Sequence, residues 1–185
     1  GTEMFVWGGE GQTGLLNSGG RYDPASNTWT SMATAPLTPR AYHSAVWTGT
    51  EMIIWNGYNV HLGELYGDGA RYNPVTDSWT PIPLAGAPTP RIAQGVWTGR
   101  ELLLWGGTFD RSGGRYDPVL DSWQPTTLVG APDQRIGGRW STVWTGSEMI
   151  IWGGIIETPK GSRYCATGLH GTFADGLASG HASAC

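Results

Sequence analysis

One nine-residue phrase occurs four times in this chain: GTEMFVWGG at 1–9, GTEMIIWNG at 49–57, GRELLLWGG at 99–107 and GSEMIIWGG at 146–154. Its tryptophans, Trp7, Trp55, Trp105 and Trp152, stand 48, 50 and 47 positions apart. A repeat of this length is one supersecondary unit that cannot bury its apolar surface alone, so the chain must fold as a row of similar units covering one another. Two further blocks keep step with the first. Arg-Tyr recurs at Arg21/Tyr22, Arg71/Tyr72, Arg115/Tyr116 and Arg163/Tyr164, and the first three copies lead on to Trp29, Trp79 and Trp123. Val-Trp-Thr-Gly recurs at Val46 to Gly49, Val96 to Gly99 and Val143 to Gly146.

Within a unit these blocks read as four short strands. In the unit from Arg40 to Pro81, the first ends at AVW (45–47), the second is EMIIW (51–55), the third surrounds ARY (70–72) and the fourth surrounds SWTP (78–81). Thr48 to Thr50 predicts a tight hairpin with Gly49 at positive φ, and Pro74 to Asp77 a second tight turn. The second strand is apolar without alternation, so both of its faces must be covered. The Tyr of the third strand and the Trp of the fourth are expected to pack against the next unit.

Composition agrees with an all-β chain. Thirty Gly and 12 Pro in 185 residues break helices, while 11 Trp with Tyr, Val, Ile and Thr suit pleated surfaces. Charged residues are only 14%, and the formal charge of -4 comes without any Lys/Arg stripe, which argues against nucleic acid as a partner. No apolar stretch approaches the roughly 20 residues of a transmembrane helix. A single Lys, low charge and abundant Thr, Asn, Gly and Trp favour a secreted, periplasmic or cell-surface location, with the cytoplasm as the alternative.

An apolar strand ending in Gly-Gly, then a spaced Tyr and Trp, closely resembles the kelch repeat in its bacterial form, and the spacing matches the kelch period of about 50 rather than the roughly 40–45 of WD repeats. The resemblance covers residues 1–164 in units 1–39, 40–90, 91–134 and 135–164, followed by an irregular tail at 165–185. It implies a kelch-type β-propeller segment of four-stranded antiparallel blades, about four begun and two complete. The expected architecture is an arc of a larger propeller whose tail reflects truncation or a reading-frame slip. A closed four-bladed ring, and self-association of arcs through unclosed blade faces, are the alternatives. Two positions depart from the pattern: Asn56 replaces a glycine, a mild local change, and Cys165 replaces the Asp or Asn after Arg-Tyr.

Residues repeated at one place in every unit belong first to the scaffold. Glu3, Glu51, Glu101 and Glu148, and Arg40, Arg91 and Arg135, are therefore read as ion pairs between units or bonds to turn backbone rather than as a functional ring. Gly9-x-Gly11-x-x-Gly14 follows a strand but opens no helix, so it is loop glycine and not a dinucleotide site. His43, His61, His170 and His181 show no paired ligand spacing, so no metal or other cofactor is expected in the repeats. In the tail, Cys165 and Cys185 are a candidate disulfide, and with His170 and His181 a weaker candidate zinc set; two free thiols are the plainer reading. No G-x-S-x-G elbow or Ser-His-Asp set stands out.

The connections between second and third strands vary in length and composition, which marks their face as the one free to specialise. Its candidate ligand-binding residues are Tyr58, His61, Glu64 and Tyr66, joined by Phe109, Asp110 and Arg111 of the next unit. His43, Gln94 and Arg139, on the innermost strands, do not repeat and are candidates for a central channel. The function read from these features is a non-catalytic binding scaffold for a protein or glycan ligand. The alternative is the propeller portion of an enzyme of the galactose-oxidase-like or sugar-acid epimerase kind; neither set of catalytic residues can be matched to this chain.

Overall fold

The computed structural model describes residues 2–107, 111–132, 136–155, 160–165 and 172–174, and among these every regular element is a strand. The first sheet holds β1 (Met4–Trp7), β4 (Gly19–Asp23) and β5 (Thr28–Ser31), with a small loop hairpin of β2 (Glu10–Gly11) and β3 (Gly14–Leu15) between the first two. The second holds β6 (Ser44–Trp47), β7 (Met52–Trp55), β10 (Gly69–Asn73) and β11 (Ser78–Pro81), with the loop hairpin β8 (Tyr58–Asn59) and β9 (Glu64–Leu65). The third is β12 (Gly95–Trp97), β13 (Leu102–Trp105), β14 (Gly113–Asp117) and β15 (Ser122–Pro125). The fourth is β16 (Ile136–Trp144), β17 (Glu148–Ile155), β18 (Lys160–Cys165) and β19 (Thr172–Ala174). All pairings are antiparallel between chain neighbours. No helix among the described residues is long and apolar enough to cross a membrane.

The repeated motifs are the turn chemistry that makes this possible. Thr48 and Thr98, each before a glycine at positive φ, accept the N–H groups of Glu51 and Glu101 on their hydroxyls at 2.9 Å, closing the first hairpin of their sheets. Asp23, Asn73 and Asp117 accept the N–H two residues on at 2.8–2.9 Å, which starts the turn into the outermost strand. Those turns end on Asn27, Asp77 and Asp121 at positive φ, and each takes a hydrogen bond from the hydroxyl of the preceding Tyr22, Tyr72 or Tyr116. Cys165 lacks the side-chain oxygen that this turn uses. Gly69 lies opposite Trp55 in the ladder, and a Cβ there would collide with the Ile54 carbonyl and the indole; Gly19 and Gly113 face Trp7 and Trp105 in the same way.

The sheets pack face to face in chain order, and strand alternation divides each apolar run between two cores. Met52 and Ile54 join Trp7, Met32 and Leu37 between sheets one and two. Ile53 and Trp55 face the other way, where Leu102, Leu104, Tyr116 and Trp123 meet them. Leu103 and Trp105 then pack with Trp140, Met149 and Ile151 of the fourth sheet. The unbroken hydrophobicity of the second strands is thus the signature of burial on both faces. The rings of Tyr72, Trp79, Tyr116 and Trp123 lie against the preceding sheet, contrary to the expectation that they meet the next one. Alternation explains the direction: Arg71 and Tyr72 are neighbours on one strand, and Arg71 already reaches forward to the Pro118 carbonyl at 3.0 Å.

Two expectations need adjustment. The segment 165–185, expected to be irregular, supplies β19, with Thr172 opposite Ser162; a ladder needs backbone groups rather than the missing tryptophan. Asn56 keeps the left-handed backbone of its glycine counterparts, φ 63° against 65° at Gly8 and 71° at Gly106. It is fully buried, and neither carboxamide atom has a protein partner, so the change is less mild than its sequence suggests.

Candidate functional site

In the second sheet the short turns lie at one end and the variable connection between β7 and β10 at the other. The loop of the second sheet is built from its own hydrogen bonds. Tyr58 N–H donates to Ala41 O at 2.8 Å and Ala41 N–H to Tyr58 O at 3.2 Å, tying the loop to the segment that enters β6. At the hairpin tip, Asn59 Oδ1 accepts the N–H groups of His61 and Leu62 at 3.0 and 3.1 Å, with Gly63 at positive φ.

Beneath the loop lies Arg40, completely buried. Its Nε donates to Thr38 O at 2.9 Å, Nη1 to Asn56 O at 3.0 Å and to Asp68 Oδ1 at 2.7 Å, and Nη2 to Asp68 Oδ2 at 3.2 Å. The Tyr66 ring stacks 4.3 Å from the guanidinium carbon. Tyr66, expected at the ligand, is half-buried and holds this contact from the loop side. Arg91 repeats the arrangement in the third sheet, with bonds to the carbonyls of Thr89, Gly106 and Ser112 at 2.9–3.1 Å. The repeated glutamates pair within their sheets: Glu3 with Arg21 at 3.2 Å, Glu51 with Arg71 at 3.5 Å and Glu101 with Arg115 at 3.7 Å. Arg21 and Arg71 also donate forward to the Pro74 and Pro118 carbonyls. Both repeated sets are thus engaged with the scaffold; Arg135 lies outside the described residues.

On the surface above, Tyr58 is half-buried, His61 and Glu64 are exposed, and His61 Nε2 sits 3.4 Å from Glu10 Oε1 on the loop hairpin of the first sheet. The contact thus runs to the preceding loop. Phe109 and Asp110 lie outside the described residues, and Arg111 is exposed on the third loop. Tyr42, not anticipated, completes the patch: 58% exposed, with its ring centroid 6.5 Å from that of Tyr58. Its φ of 57° is a left-handed conformation that a bulky residue seldom adopts, and it turns the ring outward. A signal for it existed in the spacing: Trp47 follows Arg40 by seven positions but Trp97 follows Arg91 by six.

Of the channel candidates, His43 is wedged edge-on against Trp7, with centroids 5.2 Å apart and its Nδ1 buried without a protein partner. Burial, with the positive charge of Arg40 nearby, pushes its imidazole down to about 4 from an ordinary 6.5, so the ring is neutral. Gln94 is half-buried before β12, and Arg139 contributes its backbone to β16. Cys165 contributes its backbone to β18, and Cys185 with His170 and His181 lies outside the described residues. Among the described residues no three His, Cys, Asp or Glu side chains gather as metal ligands would.

The patch of Tyr42, Tyr58, His61, Glu10 and Glu64 combines two aromatic rings with a carboxylate and an imidazole 3.4 Å apart. Such a surface can stack on a sugar ring or an apolar side chain and orient its hydroxyls or amides. No family model matches the chain, and no curated protein matches it.

Proposed function

We propose that the chain is an arc of a kelch-type propeller and acts as a non-catalytic scaffold that binds a protein or glycan on its loop face. Four sheets stacked in chain order with equivalent registers support the propeller reading, since each core between sheets is built from the same strand positions. The observation that carries the binding reading is the junction of two neighbouring loops through His61 and Glu10, beside the outward-turned pair Tyr42 and Tyr58. Residues from consecutive units there form one surface, on the face where the repeat is free to vary.

The test compares the parent chain with the double variant Tyr42→Ala, Tyr58→Ala on a glycan array and a peptide array. The hydrogen bonds of Tyr58 to Ala41 are made by backbone, so the variant retains them. Loss of two aromatic anchors is expected to weaken capture at least about 30-fold, since a hot-spot aromatic contributes about 2 kcal/mol or more. Equal capture by both proteins, with loss of capture on substitution in the turns Thr48 to Thr50 or Pro74 to Asp77, would place the site on the opposite face.

A further inference from the structure

Four consecutive residues carry the loop-face patch, and each is held by a different neighbour. Arg40 is buried under the loop against Asp68, and Ala41 exchanges backbone hydrogen bonds with Tyr58. Tyr42 turns its ring outward beside that of Tyr58, and His43 sets its ring against Trp7 of the first sheet. Beyond them Ser44 is fixed in β6, opposite Trp55, and its hydroxyl accepts the Gly95 N–H of the third sheet at 2.9 Å. Tyr42, at φ 57°, is thus a strained residue between held ones, and it keeps that conformation only while its neighbours stay in place. The ring of His43 is the anchor next to it.

The seat of that ring suits only a neutral imidazole. Nδ1 is enclosed without a protein partner, the Trp7 indole stands edge-on at 5.2 Å, and Cε1 is packed so closely that a Cβ on Gly8 would lie 3.0 Å from it. A protonated ring carries N–H on both nitrogens, which here leaves a buried donor without an acceptor. The charge that acts on it is the like charge of Arg40; Trp7 and Gly8 of the first sheet are neutral, as is Asn56, the residue after Trp55 on the β7 side. The remaining charges of the patch are paired elsewhere, Asp68 with Arg40 and Glu10 with His61. We infer that His43 is an acid-sensitive latch of the loop-face site: protonation expels the ring from its seat beside Trp7, Tyr42 leaves its left-handed conformation, and the Ala41–Tyr58 bridge that aligns the two tyrosines opens, releasing the ligand. The release rests on the loop-face reading above, whereas the opening itself does not. With the seated imidazole at about 4 and a solvated one at 6.5, the closed form is favoured above pH 6.5 and loses ground as pH falls toward 4. Between pH 7 and pH 5 the loss relative to an open form is about 25-fold.

Amide exchange of the unliganded chain, expressed as protection factors at pH 7 and pH 5, tests the latch directly. Protection at the Ala41 and Tyr58 N–H groups should fall at least about tenfold, while the Thr48 and Thr98 N–H groups, bonded to Glu51 O and Glu101 O in the first hairpins of their sheets, should hold theirs. His43→Gln should abolish the response at Ala41 and Tyr58, and His61→Gln should leave it intact. In the unaltered chain the ring protons of His43 should titrate well below pH 6.5. An ordinary titration of that ring, an equal loss of protection at Thr48 and Thr98, or a response that survives His43→Gln would overturn the latch. Capture on the glycan and peptide arrays should be weaker at pH 5 than at pH 7. Equal capture at both, with the bridge open at pH 5, would overturn the coupling of the latch to the site. The loop-face reading is judged separately, by the Tyr42→Ala, Tyr58→Ala variant at pH 7.

Discussion

Trp29 and Trp123 occupy the same position in their repeats, each opposite the tyrosine of the neighbouring strand, and differ in whether a sheet precedes them. Trp123 is 4% exposed, its ring centroid lies 4.4 Å from that of Trp55, and its Nε1 donates to Pro83 O at 3.1 Å. Trp29 is 57% exposed and rests on Tyr22 at 5.1 Å. The difference leaves about 130 Å² more of Trp29 in water, worth about 3 kcal/mol at about 25 cal/mol per Å². Trp123→Ala should therefore cost about 3–5 kcal/mol, the range for emptying a large aromatic site, and Trp29→Ala about 1 kcal/mol. Urea unfolding followed by far-ultraviolet circular dichroism measures both, with unchanged slopes required for the comparison. Equal shifts of the two midpoints would refute the stacking of sheet on sheet as the source of stability, because sequence position would then outweigh burial.

Asn56→Gly should raise stability by about 1 kcal/mol in the same assay: it removes an unpartnered buried amide, and although glycine loses more backbone entropy on folding, it adopts the left-handed conformation of this position without steric penalty. Arg40→Met should lower stability by about 3 kcal/mol, because Asp68 and the carbonyls of Thr38 and Asn56 lose their donor together. His43 supplies a pH dependence. Below pH 6.5 the unfolded chain takes up a proton there, while the folded chain does not until about pH 4, so stability conferred by the neutral ring is lost as pH falls across that window. His43→Phe should flatten the slope of unfolding midpoint against pH between 6.5 and 4; an unchanged slope would show that the histidine is solvated.

The strands, their order and their doubly covered apolar runs were legible because each depends on local chemistry that the repeat spells out. Thr48-Gly49 closes a hairpin and Asn73-Pro74 opens a turn wherever they stand, and Met52–Trp55 can avoid water only if both faces are covered. The scaffold role of Arg40 and Glu51 was legible for a related reason, since a residue repeated in every unit solves a problem that every unit has. The direction in which Tyr72 and Trp79 face was not, because alternation says that neighbours on a strand point apart but not which sheet each will meet. The stacking of Tyr66 on Arg40 was not legible either, because an aromatic in a variable loop looks the same in sequence whether it is free or stacked on a buried arginine. Tyr42 could not be chosen from its residue type, since its exposure follows from a backbone conformation imposed by the Ala41–Tyr58 bridge on one side and β6 on the other. Local hydrogen bonding is written in adjacent residues and so belongs to the sequence. Which loops touch and which polar atoms are left without partners depend on where whole sheets come to rest, and only the tertiary structure decided them.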